Sequence, residues 1–297
     1  MLRISCMRKS RRDILSLVFH DAMSTLPKSR PLRILFLHGF TQTGTLFYAK
    51  TRALHKALQK AFPASQYELH YSYPPGPAKL SVADIPGHTN SAALDGNAKD
   101  EEEDCRGWWR RKDHDVKGRG GLEIVYEGLE AGMQSISTCI QEEGPFDGVV
   151  GFSQGACAAG MVASLLEGPK RREAFERLEK NGGIEYPQSF LEQGGKGMDG
   201  VVQGPLKFAV CYGGFRALGR KYEAFYEPKL KTPVLHVLGQ VDVVVEEARS
   251  RQLVAACDGG EDRVVMHPGG HFVPSQKPWL NAVVGFIKDS IEGKEGI

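Results

Sequence analysis

The middle of the chain reads Val149-Val150-Gly151-Phe152-Ser153-Gln154-Gly155-Ala156. An apolar run here passes through G-x-S-x-G into a segment rich in small residues, which predicts a strand, a sharp turn and a helix. Such a turn lifts the serine above a sheet in a strained backbone conformation, and the two glycines leave room for helix and strand to approach closely. The bare pattern occurs by chance in many proteins, but between an apolar strand and a helix it indicates a nucleophilic hydroxyl at Ser153.

Strand and helix patterns alternate along most of the chain. Short, mostly apolar runs of the kind found in buried parallel strands predict strands at residues 32–37, 68–73, 146–150, 207–212, 233–238 and 263–267. Helical spacing of apolar residues predicts helices at residues 46–61, 122–141, 154–166, 246–256 and 279–290. The alternation implies right-handed crossovers and an α/β fold, a mostly parallel, doubly wound sheet of about six strands with helices on both faces.

Two long polar segments interrupt this alternation, residues 74–121 and 168–204. Loops of this length are usually functional or disordered. The first follows a strand directly, and loops at the carboxyl ends of strands border the ligand crevice of an open α/β sheet, so we expect it to lie over the site. A helical stretch at 171–180 in the second is a candidate cap. Apart from these insertions, residues 31–297 are expected to form one domain.

Composition is that of an ordinary soluble globular protein, with 41% apolar and 25% charged residues. The net charge of +2 gives no field that favours nucleic acid, and no apolar run approaches the roughly 20 residues of a membrane-spanning helix. Six cysteines without a C-x-x-C motif favour a reducing compartment such as the cytoplasm. We interpret residues 1–30 as a disordered or loosely docked extension, with a mitochondrial presequence as the alternative.

A serine hydroxyl is a weak nucleophile unless a base takes its proton as it attacks. On α/β-hydrolase scaffolds the order along the chain is nucleophile, acid, histidine. Downstream of Ser153 the chain offers His236, His267 and His271. His236 lies inside a predicted strand and His267 closes another, whereas His271 lies in a glycine-rich loop beyond a strand end. His271 is therefore the first candidate for the base, and His267 is the second.

Asp242 is the leading candidate for the acid. It follows Gly239, at the end of a predicted strand, so that its carboxylate can face the same crevice. The alternative is a turn aspartate that bonds only to local backbone amides. Glu246 and Glu247 open the next predicted helix, where acidic residues are favoured by the helix dipole in any case. The expected role of Asp242 is to hold the imidazole tautomer and stabilise the imidazolium without taking the proton.

Attack on a carbonyl carbon builds a negative oxygen, which needs preformed amide donors. Gln154 follows the serine and offers its backbone N–H. The second donor is expected from the loop after the first strand, where the N–H of Phe40 is the first candidate and that of Thr41 the second. His38, in the same loop, is interpreted as a structural histidine.

Aromatic residues near the predicted carboxyl edge of the sheet are candidates for an apolar acyl pocket. Trp108 and Trp109 are adjacent, and neighbouring side chains of an extended segment point in opposite directions, so that one can anchor the loop while the other faces substrate. Tyr212 and Phe215 flank the end of another predicted strand. For each of these residues the alternative is that it packs a loop onto the sheet.

These blocks together resemble a known family. They are L-F-L-H-G-F-T-Q, the Pro-rich turn with W-W, G-P-F-D-G-V-V-G-F-S-Q-G-A, C-Y-G-G-F, P-V-L-H-V-L-G-Q-V-D and G-G-H-F-V-P. They are similar to the FSH serine hydrolases, α/β-hydrolases found widely in fungi and with an animal relative, over about residues 33–287. The resemblance puts the nucleophile at Ser153, the acid at Asp242 and the base at His271, in agreement with the order argument.

The resemblance implies carboxylesterase activity on a small-molecule acyl ester or thioester, with no metal or organic cofactor. Some fungal members look like thioesterases that release polyketide or acyl chains from a synthase. An acyl carrier domain is therefore a further candidate partner, and secondary metabolism a further candidate setting. An alternative of another class is a ligand-binding sensor that keeps the hydrolase scaffold and turns over little.

Overall fold

A computed structural model of the chain describes residues 29–84, 104–116, 121–191 and 200–293. The predicted N-terminal extension, except for its last two residues, and parts of both predicted insertions lie outside the described residues.

The described ranges contain ten strands and six α-helices. The strands are β1 (Arg30–Leu37), β2 (Tyr67–Ser72), β3 (Ala78–Lys79), β4 (Arg106–Gly107), β5 (Arg110–Val116), β6 (Gly121–Glu127), β7 (Gly148–Phe152), β8 (Phe208–Tyr212), β9 (Val234–Gly239) and β10 (Val264–His267). The helices are α1 (Gly44–Ala61), α2 (Leu129–Glu143), α3 (Gln154–Leu165), α4 (Pro169–Glu179), α5 (Glu247–Ala255) and α6 (Lys277–Glu292). Strands and α-helices alternate except at β2 to β6, at α3 and α4, and at β8 and β9.

Six of these strands form the central sheet, in the order β10-β9-β8-β7-β1-β2. Every neighbouring pair is parallel, as the sequence predicts. The chain adds β2 on one side of β1 and then crosses to β7 on the other side, from which β8, β9 and β10 follow outward. The direction of winding therefore reverses between β1 and β7, and the crevice at this switch point is where open α/β sheets bind their ligands.

The central strands are buried on both faces, because their side chains alternate between two cores. In β1, Ile34 and Phe36 pack with α1 and α6, whereas Leu35 and Leu37 pack with α2 and α3 on the other face. Strand β8 divides its side chains between the same two cores. Burial on both faces explains why these strands are nearly continuous in apolar residues rather than alternating with polar ones.

The predicted helix over residues 122–141 is wrong in its first third. Residues 121–127 form β6, which pairs antiparallel with β5, and α2 begins only at Leu129. Gly128 separates the two elements with a φ of +83°, a left-handed conformation that glycine adopts without steric cost. The alternating apolar residues of G-L-E-I-V-Y-E fit a strand as well as a helix, and pairing with β5 selects the strand.

The helix α4 covers most of the segment predicted as a cap. It follows the last turn of α3, and the 12 residues of α3 span about 18 Å. Phe175 on α4 packs edge-on against Phe225, and the guanidinium of Arg171 donates to the carbonyl of Ala224. These contacts place α4 against residues 220–225, and its role as a cap stays a prediction.

Five of the cysteines lie in described residues, and each is a buried free thiol, namely Cys105, Cys139, Cys157, Cys211 and Cys257. Burial raises the pKa of Cys157 to about 12, which keeps this thiol protonated at neutral pH. Among the described helices, none combines the length and the apolar character needed to cross a membrane.

Candidate active site

Ser153 lies between the end of β7 and the start of α3, at the switch point of the sheet. Its φ of 54° and ψ of −118° are strained for a residue with a side chain. A Cβ on Gly151 would overlap the carbonyl oxygen of Gly155, and one on Gly155 would overlap the carbonyl oxygen of Leu37. Glycine is therefore required on both sides of the serine, which is the physical reason for the G-x-S-x-G spacing.

Asp242 and His271 form a hydrogen-bonded pair beside this turn. Oδ2 of Asp242 lies 2.7 Å from Nδ1 of His271, and Oδ1 accepts from the backbone N–H groups of Val244 and Val245, each at 2.9 Å. The two side chains are only 5% and 12% exposed, respectively. The carboxylate therefore holds the imidazole through Nδ1 and leaves Nε2 as the nitrogen that can accept a proton.

Asp242 follows β9 and His271 follows β10, and the end of β8 lies between this pair and Ser153 at the end of β7. The ring of His271 lies 4.7 Å from the ring of Phe152, the residue before Ser153. A Cβ on Gly213 would lie 3.0 Å from the His271 ring and 3.4 Å from Oδ2 of Asp242. The backbone N–H of Ser153 donates to the carbonyl of Tyr212, which fixes β7 to the strand that leads into Gly213.

Nε2 of His271 is buried and has no hydrogen-bond partner. A buried nitrogen without a partner costs free energy, and here it belongs to a ring that a carboxylate holds beside Ser153. In this conformation Oγ of Ser153 makes no hydrogen bond to Nε2 of His271. Hydrogen bonds between catalytic groups are often long in the absence of substrate and shorten when substrate binds.

The loop after β1 packs against the first turn of α3. A Cβ on Gly155 would overlap the carbonyl of His38 as well as that of Leu37, which shows how closely the two segments approach. Thr41 has a φ of 67° and is, with Ser153, one of two described non-glycine residues with positive φ. Within the described residues, the backbone N–H groups of Phe40 and Gln154 donate to no protein acceptor.

His38 is buried and has a structural role, as its sequence context indicates. Its Nε2 accepts from the backbone N–H of Gly76 at 2.8 Å, so Nδ1 carries the proton and donates to the carbonyl of Gly39 at 2.8 Å. Burial lowers its pKa to about 4, which keeps the imidazole neutral at pH 7. His38 thus ties the loop after β1 to the loop after β2.

Among the described residues, neither of the other two histidines considered for the base is hydrogen-bonded to a carboxylate, as His271 is. Nε2 of His236 is also buried without a partner, but that ring lies inside a strand. His267 accepts from the backbone N–H of Gly269 through Nδ1 at 3.2 Å and packs against Phe272 and Trp279. His236 is 1% exposed in the middle of β9, and burial lowers its pKa to about 4.

Three of the four aromatic residues considered for the acyl pocket are fully buried. Trp108, Trp109 and Tyr212 are each at most 1% exposed, so in this conformation they pack loops onto the sheet. The indole N–H of Trp108 donates to the carbonyl of His38 at 2.8 Å. Phe215 is half-buried, with the guanidinium of Arg249 4.6 Å from its ring centre. For the first three, contact with substrate would require the surrounding loops to move.

Two features of the site have no local signal in the sequence. The side-chain amide of Gln154 bonds to the backbone of Trp108 and Trp109.

The loops that carry Asp242 and His271 also expose an apolar rim. It is defined here as Val241, Val243, Val244 and Phe272, with exposed fractions of 63%, 89%, 61% and 45%. In the described part of the chain, no group of three or more histidine, cysteine or acidic side chains is arranged to hold a metal ion.

A strained serine at the switch point of a parallel sheet, with an acid–histidine pair carried by the later strands, is the plan of the α/β-hydrolases, and the chain has this fold. The crystal structure of acyl-protein thioesterase 2 from Zea mays superposes with a TM-score of 0.50 and 17% sequence identity. The match covers 89% of this chain and 96% of that protein, and it supports the fold alone.

Residues 24–283 match the family described as Serine hydrolase (FSH1), and the chain belongs to this family of serine hydrolases. The protein named Esterase OVCA2 from Danio rerio is 33% identical over 263 residues, which cover 87% of this chain and 97% of that protein. A Schizosaccharomyces pombe protein named Dihydrofolate reductase is 33% identical over 266 residues, 87% of this chain. The chain spans about half of that protein's length, 47%, so the name applies to a larger molecule.

Proposed function

We propose that the protein hydrolyses acyl esters or thioesters with an apolar acyl group through an acyl-enzyme on Ser153. The observation that carries this proposal is the unpartnered Nε2 of His271, which belongs to an imidazole held by Asp242 beside the strained serine. Membership of a serine hydrolase family and similarity to a protein named as an esterase support it.

In the first half-reaction the hydroxyl of Ser153 attacks the acyl carbon, and Nε2 of His271 takes the hydroxyl proton. The imidazolium then gives this proton to the leaving alcohol or thiol as its bond to the acyl carbon breaks. In the second half-reaction water attacks the acyl carbon and Nε2 of His271 takes a proton from the water. The imidazolium then gives this proton to Oγ of Ser153 as the bond between Oγ and the acyl carbon breaks, which releases the carboxylic acid and restores the free serine. Asp242 stays ionised throughout and stabilises the imidazolium.

The tetrahedral oxygen formed in each half-reaction needs donors that are already in place. We assign this role to the backbone N–H groups of Phe40 and Gln154, which have no acceptor within the described protein. The positive end of the α3 dipole adds to their effect, because Gln154 is its first residue. Losing one such donor typically raises the barrier by about 2.7–4 kcal/mol.

The apolar rim around Asp242 and His271 supports the choice of an apolar acyl group. Val243 is 89% exposed, and a soluble surface gains nothing from a valine in that position. An alkyl chain bound at Ser153 would cover part of this rim on leaving the crevice. Transfer of apolar area from water is worth about 25 cal/mol per Å², so a longer chain is expected to bind more tightly.

The test combines a fluorophosphonate probe with p-nitrophenyl esters of graded acyl length and the matching acyl-thioesters. The wild type is expected to label and to turn over esters, and Ser153→Ala to do neither. Ser290→Ala is the matched control, because that hydroxyl bonds only to the carbonyl of Phe286 on α6, far from the site. Labelling that persists in Ser153→Ala would exclude this serine as the nucleophile.

The same panel separates the finer alternatives. Faster turnover of thioesters than of oxygen esters at equal chain length would favour a thioesterase that acts on an acyl carrier domain. A wild type that labels but turns over nothing in the panel would favour a ligand-binding sensor.

A further inference from the structure

The side chain of Gln154 connects the start of α3 to the segment of Trp108 and Trp109, and it has no role in the reaction proposed above. Its Oε1 accepts from the backbone N–H of Trp108, and its Nε2 donates to the carbonyl of Trp109, both at 2.8 Å. Gln154 is 6% exposed, so water does not readily replace either bond. One amide thus satisfies a donor and an acceptor on a segment 45 and 46 residues away in sequence.

The bridged segment also holds the loop that carries Phe40. Arg106 forms an isolated antiparallel bridge with Gln42. A Cβ on Gly107 would lie 2.9 Å from the ring of Phe40 and 3.3 Å from Oε1 of Gln154. Together with the indole bond of Trp108 to the carbonyl of His38, these contacts place residues 106–109 against both the loop that carries Phe40 and the side chain of Gln154.

We infer that the side chain of Gln154 is a positioning group for the oxyanion hole. Its amide clamps residues 106–109, which press on Phe40 and thereby set the distance between the Phe40 and Gln154 N–H groups. The inference rests on the proposed function, because the clamp matters to rate only if these amides stabilise a tetrahedral oxygen.

The geometry requires a neutral amide at this position. Trp108 presents a donor and Trp109 an acceptor, so the clamping side chain must accept at one atom and donate at the other. A methionine of similar length makes neither bond. An ionised glutamate can accept from Trp108, but it places a second acceptor against the carbonyl of Trp109. A protonated glutamic acid restores both bonds.

The chain offers a matched control in Gln203. Its Oε1 accepts from the backbone N–H of Phe146 at 2.8 Å, and its Nε2 donates to the carbonyl of Phe146 at 3.1 Å. Phe146 precedes β7 at the end opposite to Ser153, and the whole five-residue strand, about 16 Å long, lies between them. Substitution of Gln203 removes the same chemistry without touching the loops of the site.

The first measurement compares Gln154→Met with Gln203→Met on a short p-nitrophenyl ester. Because a displaced donor is weakened rather than removed, we expect kcat to fall about 10- to 100-fold in Gln154→Met, with KM changed by less than about threefold. Gln203→Met is expected to keep the wild-type kcat. Two of the three tryptophans lie in the clamped segment, so intrinsic fluorescence should change in Gln154→Met and not in the control.

The second measurement is the ratio of kcat in Gln154→Glu to kcat in the wild type as a function of pH. Taking the ratio removes the pH dependence that the two proteins have in common. Burial beside a carbonyl disfavours the ionised carboxylate, so lowering the pH from 8 to 5.5 should restore the neutral acid and raise the ratio by about tenfold. The ratio for Gln203→Glu should stay flat. If Gln154→Met does not fold, the pH dependence of the Gln154→Glu ratio tests the inference on its own.

Each outcome has a separate meaning. A wild type without Ser153-dependent turnover overturns the proposed function and the inference with it. An active wild type overturns the inference alone if kcat is unchanged in Gln154→Met, if both methionine variants lose activity equally, or if the Gln154→Glu ratio does not rise at low pH.

Discussion

The two ends of β7 contrast within a few residues of one strand. At the amino end, Asp147 accepts from the backbone N–H of Arg33 at 3.0 Å and pairs with Lys207 at 2.5 Å. At the carboxyl end, Ser153 has a strained backbone and Nε2 of His271 is buried without a partner. The amino end is thus held by an ion pair and a hydrogen bond, whereas the carboxyl end is strained and lies beside an unsatisfied nitrogen where the chemistry is proposed.

The sharpest test of this contrast is His271→Ala. Without the base, kcat on an aryl ester is expected to fall at least about 10⁴-fold, because the members of such a unit are each nearly essential. Loss of the ring also leaves Oδ2 of the nearly buried Asp242 without its partner, so the free energy of unfolding should fall by about 1–3 kcal/mol. His70→Ala, which removes a half-exposed histidine from β2, is the control and should keep full activity. Retained activity in His271→Ala would refute the proposed base.

The next largest effect is expected for Asp242→Asn. The amide can still accept from Val244 and Val245, but its NH₂ group would face Nδ1 of His271 and favour the wrong imidazole tautomer. A fall in kcat of about 10³- to 10⁴-fold is expected with the fold intact.

Asp147→Asn makes the same chemical change at the opposite end of β7. It should cost about 1 kcal/mol in the free energy of unfolding, through its bonds to Arg33 and Lys207, and leave kcat unchanged. A large fall in kcat for this variant, or a small one for Asp242→Asn, would break the contrast between the two ends.

The free energy of unfolding should depend on pH through His38, which follows the carboxyl end of β1. Burial lowers the pKa of His38 from 6.5 to about 4, so the unfolded chain binds more protons than the folded protein between these values. The stabilisation is complete above pH 6.5 and is lost as the pH falls toward 4. Denaturant titrations at pH 7 and pH 5 should show a loss that is about 1–2 kcal/mol smaller in His38→Gln than in the wild type. Equal losses would mean that His38 is not held neutral.

The smallest effect is expected at the apolar rim. Val243→Ser removes an 89% exposed apolar side chain, so stability should stay within about 0.5 kcal/mol of the wild type. For long-chain esters KM should rise by a few-fold, while for acetyl esters it should not change. A KM that rises equally for both chain lengths would argue against contact between the rim and the acyl chain.

The sheet could be predicted from sequence because its signals are local. Buried parallel strands are short apolar runs, and each of the six ends close to glycine, proline or the turn at Ser153. Ser153, Asp242 and His271 were proposed by the same rule, since each follows a strand end in the order that the fold requires. The structure places the Asp242 carboxylate and the His271 imidazole 2.7 Å apart.

The hairpin of β5 and β6 could not be predicted, because its sequence supports two structures. Residues 122, 125, 129, 133 and 136 continue a helical spacing into α2, while residues 122, 124 and 126 alternate as in a strand. Pairing with β5 and the left-handed Gly128 decide between them, and only the second of these is local.

The clamp and the burial of the tryptophans were missed for a different reason. Gln154 bonds to residues more than 40 positions earlier, so no local sequence pattern predicts this contact. Trp108 and Trp109 both lie inward because their segment is held on two sides, by Gln154 and by the loop after β1. Alternation of side chains in an extended segment does not predict this arrangement.

The buried thiols provide a built-in reporter of unfolding. The five described cysteines are at most 9% exposed and none is tied into a disulfide, so a maleimide reaches them only when the surrounding core opens. Because Cys157 lies on the first turns of α3 and Cys257 follows α5, their rates of alkylation would time the opening of two separate parts of the sheet's helical cover.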